Sequence, residues 1–292
     1  SLTGPAPRAL LYEMHEKHRR EPMASSSGRY FAVGLGLLLF VLDRSPIGAD
    51  DRKPTRETQA LVTPHGTDEI AFRMTRIEKP TAQGGLEVDI RFLDEKGEVA
   101  MIEHAVLGPQ AEVLEYTFEQ RQVGDRGSAK RIQLAPGKDE LRLSYTPKGK
   151  PTSVSQDAAP PNLVVGPSLV PYILKHREGL INGKELLVRV IVIDRKDTYG
   201  FSLRHRGRAD FQGHEVARIE MRPTSFIIRQ VLDPVSFFVD LDVRALLAYS
   251  GRVGVFTRKS ETSSWDTIQA LTVYKPRLGD ESLIQAQSPP AP

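Results

Sequence analysis

The sequence predicts a mainly β protein: a long curled antiparallel sheet, half-barrel and lipoprotein-carrier-like, with one main helix packed on its concave side. Three observations predict it. Many short runs alternate apolar and polar residues, so each buries one face and wets the other, the habit of antiparallel strands. Only one stretch has convincing helical spacing, Leu169 to Asn182. A long sheet that is wet on one side must curl to cover its apolar face, and one apolar helix completes the cover.

The 292 residues include no cysteine and carry a formal charge of +3. The first fact excludes disulfides, iron–sulfur clusters, thiolate zinc sites, cysteine nucleophiles and a lipoprotein anchor. The second gives no electrostatic case for nucleic acid or an anionic membrane as partner.

Residues 1–22 are polar and read as an upstream extension. Residues 23–49 have the parts of a signal peptide: Arg29, the apolar run Tyr30 to Leu42, and Ala49 before a charged stretch. The apolar run is short of the roughly 20 residues of a membrane span. The expected localisation is therefore periplasmic or secreted, with no integral membrane span after cleavage; the alternative is an uncleaved segment that tethers the protein to the membrane. Residues 50–67 read as a flexible leader, 68–274 as a single β-rich domain, and 275–292 as a disordered tail. Within the domain, 147–163 is rich in Pro, Ser and Lys and reads as a loop between two meander halves.

In order, the strands begin with the alternations of Ile70, Phe72 and Met74, then of Leu86, Val88, Ile90 and Phe92. Asp94 to Gly97 forms a hairpin turn. Val99 to Val106 and Leu114 to Phe118 follow, and then two short pieces, Ile132 to Leu134 and Leu141 to Tyr145. Ser168 is placed to cap the helix, with Pro171 in its first turn, where a missing N–H costs little. Asn182-Gly183 ends the helix. Leu186 to Ile193 is apolar on almost both faces and reads as a central, doubly covered strand. Thr198 to His205 pairs with it. The meander continues through Ala217 to Met221, Phe226 to Ile228 and Val235 to Val239. After a turn it resumes at Ala245 to Tyr249, breaks at Ser250-Gly251, runs on in Val253 to Phe256, and ends in Ile268 to Tyr274.

No catalytic constellation stands out. None of the seven histidines has the i, i+4 spacing of a zinc helix. His205, Asp210 and His214 fit a solvated hairpin better than a site, and Asp240 with Asp242 fits a turn better than a calcium loop. Gly166-Pro167-Ser168 lacks the second glycine of a nucleophile elbow. No cofactor, metal or catalytic residue is expected. The candidate binding residues are instead the apolar ones that the helix and its strands turn inward: Leu169, Ile173, Leu174, Val188, Val190, Phe201 and Leu203.

Tyr172 to Ile181, then Gly183-Lys184-Glu185, Asp194-Arg195, Thr198 to Phe201, Leu232-Asp233-Pro234 and Tyr249-Ser250-Gly251 carry a resemblance. Over roughly Val164 to Val255 the chain is similar to a family of uncharacterised, mostly secreted or periplasmic proteobacterial proteins, known as a domain of unknown function. Where that family tends to place an aromatic on the helix, this chain has Arg177. The resemblance implies a half-barrel fold and an envelope compartment, and brings no catalytic residues. The expected role is non-enzymatic: an envelope scaffold or a binder of an apolar ligand such as lipid, with lipid or an envelope protein as partner and no nucleic acid. The alternative is an envelope hydrolase with Asp, Glu and His in a cleft.

Overall fold

The structure, a computed structural model, describes residues 55–241, 245–258 and 264–275. Eight strands come first: β1 (Arg56–Pro64), β2 (Phe72–Pro80), β3 (Leu86–Leu93), β4 (Val99–Leu107), β5 (Val113–Gln120), β6 (Asp125–Ala135), β7 (Lys138–Thr146) and β8 (Ser153–Ala158). A two-residue β9 (Leu163–Val164) leads into helix α1 (Gly166–Ile181). Then come β10 (Leu186–Val192), β11 (Asp197–Phe211), β12 (His214–Pro223), a single helical turn α2 (Phe226–Arg229), β13 (Val235–Asp240), β14 (Leu246–Thr257) and β15 (Asp266–Lys275). The fold is mainly β with one main helix, as the alternation predicts.

All fifteen strands form one sheet in the order 8-7-6-5-4-3-2-1-15-14-13-12-11-10-9. Every pair is antiparallel except β9 with β10. The chain walks outward from β1 to β8, moves to the opposite edge at β9, and walks back until β15 pairs with β1, Ala60 opposite Tyr274. Ala158 and Leu163 thus lie on opposite edges of the sheet, although only four residues separate them. That connection spans at most about 18 Å, so the sheet must curl until its edges nearly meet.

The β9 edge is tucked inside the curl. Leu163, Val165, Ile191 and Ile193 pack with Val88, Ile90, Ala105 and Leu143 of the first-half strands. Val164, Leu186 and Val188 face the other way, against α1 and β11 to β13. β10 is therefore covered on both faces over part of its length, as its composition predicts. It is not central, however: it lies one strand from the edge, and Leu187 is exposed. Helix α1 lies on the concave side, in contact with β3 and β4 on one wall and β11 on the other.

Several boundaries differ from those the sequence suggests. The supposed leader supplies β1, held by β2 on one side and β15 on the other. The supposed loop 147–163 contains β8, whose polar sequence suits an edge strand paired on one side only. Helix α1 starts three residues before its predicted start, and its N-cap is Val165. Ser168 does not cap it as the first residue. It sits one turn in, where its Oγ accepts the Val165 N–H at 2.9 Å and donates to the Val165 carbonyl at 3.1 Å. Ser250-Gly251 does not break β14, and Phe226 to Ile228 is the turn α2 rather than a strand. The extension 1–22, the signal segment 23–49, Asp242 and the tail beyond Lys275 lie outside the described residues.

Candidate functional site

The helix that fills the curl brings the predicted apolar residues together. Leu169, Ile173, Val188, Phe201 and Leu203 belong to one buried cluster, with Leu174 and Val190 partly buried at its margin. Ile173 is 1 % exposed and Leu203 is fully buried. Helical spacing puts Leu169, Ile173 and Leu180 on one side of α1, and strand alternation turns Phe201 and Leu203 toward them. Two shallow depressions, of about 150 and 200 Å³, lie near β1, β2 and the β3–β4 turn; none of the seven residues lines either.

Beside the apolar cluster is a polar one that the sequence reading missed. Arg76 of β2 and Glu103 of β4 point inward among mostly apolar inward residues, with Glu78 next in phase after Arg76, and both are buried. Their origin is traceable to the helix. Pro171 has no N–H, so the carbonyl four residues before it, that of Pro167, has lost its helical donor. Arg76 Nη2 replaces that donor at 2.9 Å, and Arg76 also pairs with Glu78 at 2.8 Å. Glu103 accepts the Tyr116 hydroxyl at 2.7 Å and lies against Gly166 at the start of α1. Burial pushes the Glu103 carboxyl above its usual value, with the Tyr116 hydrogen bond and the Arg76 charge opposing in part. Burial likewise raises the phenol of Tyr116, well above its ordinary value, and that of Tyr274, to about 12. The neutral Tyr116 phenol donates to Glu103, and Arg76, through the Pro167 carbonyl, is the hydrogen-bonded link from this cluster to the first turn of α1. The sequence did carry the signal: the phase Phe72, Met74 runs on into Arg76 and Glu78, and Glu103 interrupts the apolar phase of Met101 and Ala105.

On the outer face, Glu87, Asp89 and His104 bring their ligand atoms within 4.8 Å of one another, a spacing compatible with a cation. One is already supplied: Lys79 Nζ lies 3.1 Å from Asp89 and 3.7 Å from Glu87. Partial burial works against charge on Asp89, but the hydrogen bonds from His104 and Lys79 outweigh it and hold the carboxyl below its usual value. A second outer cluster centres on Glu220, which Arg206 and Arg222 clasp at 2.8 and 2.6 Å.

The histidines of the hydrolase alternative are not brought together. His104 faces outward on β4, whereas His205 alternates with Leu203 toward the interior. His214 pairs with Asp240 at 3.2 Å, and Asp210 closes the β11–β12 turn by accepting the Gly213 N–H. Among the described residues no helix is long and apolar enough to cross a membrane.

No family model matches the chain, and no curated protein does. A solved structure from Brucella abortus, a β-barrel-like protein of the domain of unknown function DUF1849, is similar to it. The TM-score is 0.40 and the identity 12 %, over 76 % of this chain and 95 % of that one.

Proposed function

We propose that the chain is a non-catalytic scaffold of the bacterial envelope, exported through the segment 23–49, whose open sheet edge receives an extended segment of a partner protein. The supporting observation is the difference between the two edges. β9 is short and buried on both faces, whereas β8 pairs with β7 alone, and Val154, Gln156, Asp157 and Ala158 are exposed. An unpaired strand edge offers a row of backbone donors and acceptors that an added strand can take. A lipid-carrier role would need room beside α1, where Ile173, Leu180 and Leu203 are buried in mutual contact.

A photoreactive amino acid at Gln156 tests this in cells. A single protein adduct that disappears with Val154→Lys is expected; labelling indifferent to that substitution sinks the edge proposal. Mass spectrometry of the mature N-terminus should find a start at or near Asp50. Native mass spectrometry after gentle extraction should find no lipid, and a stoichiometric lipid would favour the carrier instead.

A further inference from the structure

We propose that the β12–β13 connection is a lipid-surface contact, by which the protein seats the turn α2 in the interfacial region of an anionic bilayer. Seven large apolar side chains stand out as exposed among the described residues, and three of them, Phe226, Ile227 and Val231, fall within six consecutive positions. Phe226 is 72 % exposed, the most of any. Clustering of this kind marks an interaction surface, where scattered apolar residues do not.

The backbone of this tip favours lipid over a protein groove. The Arg229, Gln230, Val231 and Leu232 N–H groups donate to the carbonyls of Ser225, Ile227 and Ile228. Arg229 turns its guanidinium back onto the Pro223 and Thr224 carbonyls, at 2.8 Å each. Five carbonyls of the loop thus have donors from within the loop. An apolar medium provides no hydrogen bonds, so carbonyls satisfied in this way enter it at less cost than bare ones, while the N–H groups of the first turn, which has no side-chain cap, are left for the polar headgroup level. The shape fits too: a protruding knob needs a matching pocket in a protein, but a fluid interface adapts to it.

Charge leans the same way. Arg229 and Arg222 flank the knob, both exposed; Arg222 shares Glu220 with Arg206, so that cluster keeps one positive charge in excess, and Asp233 lies at the far base, beside Gln269. At the same end of the sheet, two hairpins on, Arg258 lies over the Trp265 ring at 4.7 Å. Arginine at the headgroup level and an aromatic at the interface are the usual companions of an inserted apolar tip.

The absence of native cysteine permits a local test on the full chain. An environment-sensitive fluorophore on Ile227→Cys is mixed with vesicles of phosphatidylcholine containing about one-quarter phosphatidylglycerol. A blue shift and quenching by brominated acyl chains are expected at position 227 but not at Leu134→Cys, an exposed control on the β6–β7 side. With the label moved to Val231→Cys, adding Phe226→Asp should reduce vesicle affinity read at that site by about tenfold or more. Equal responses at 227 and 134 would overturn the proposal, since they would place any membrane contact elsewhere on the chain. So would a shift at 227 that grows with protein concentration in the absence of vesicles, which would make a second copy the occupant.

Discussion

At the scale of single residues, the informative pair is Arg76 and Pro171, ninety-five positions apart in the chain. A proline inside a helix leaves a carbonyl without its donor, and here a buried arginine from another element supplies one. Removing the cation leaves the Pro167 carbonyl and Glu78 without it, so Arg76→Met should cost about 3–5 kcal/mol in a denaturation experiment. Pro171→Ala returns an N–H to the carbonyl. In a double-mutant cycle, Arg76→Met should therefore cost less in the Pro171→Ala background; equal costs in both would show that the contact is incidental. Glu103 gives a pH signature. Its folded value is raised, so its contribution to stability is complete below the unfolded value near 4.5 and is lost as pH rises through the folded value. Glu103→Gln should flatten that part of the pH–stability curve and raise the melting temperature most at neutral pH. Both residues were legible in the sequence as charges interrupting an apolar phase, Arg76 with Glu78 beside it, but only the fold shows that they converge on the first turn of α1.

At the scale of elements, the β10–β11 turn packs closely on β6. A Cβ on Gly127 would lie 2.3 Å from Ile193 Cγ2 and 2.9 Å from the Ser144 carbonyl. Gly127→Ala should therefore destabilise by about 1–3 kcal/mol, and that added cost should shrink in an Ile193→Ala background, which lacks the Cγ2 that the new methyl meets. A neutral outcome by calorimetry would mean that the turn moves aside freely. Strands with strong alternation, β3, β4 and β13, were legible almost to the residue. β1 was not, because its inward residues Ala60 and Val62 are small and one of its two partners is far away in sequence. β8 was missed for the opposite reason: an edge strand needs little apolar content. Phe226 to Ile228 has β-prone residues but too few of them between Pro223 and Pro234, and local turn hydrogen bonds win there.

At the scale of the whole molecule, the strand order is a ring opened at an unexpected place. The first and last described strands, β1 and β15, are paired, and the gap lies between β8 and β9, consecutive in sequence. β15 finishes at the end of the sheet where β1 begins, since the two are antiparallel neighbours with Gln59 opposite Lys275. A circular permutant that joins residue 275 to 56 through a short linker and opens between Pro160 and Pro161 should keep the fold, with circular dichroism and near-native melting as the check. Loss of the fold would show that the 159–162 connection itself holds the curl.

The β1–β15 pairing also puts a clock on the molecule. β1 emerges early, but its second partner is made some 200 residues later. At about 5–20 residues per second of synthesis, that edge waits on the order of 10–40 s for its partner. Throughout that interval one side of β1 has no partner, and once β8 is made the nascent chain carries two open edges instead of one. A holding chaperone, or a route that keeps the chain extended, should therefore raise the yield of folded protein until the last strand arrives.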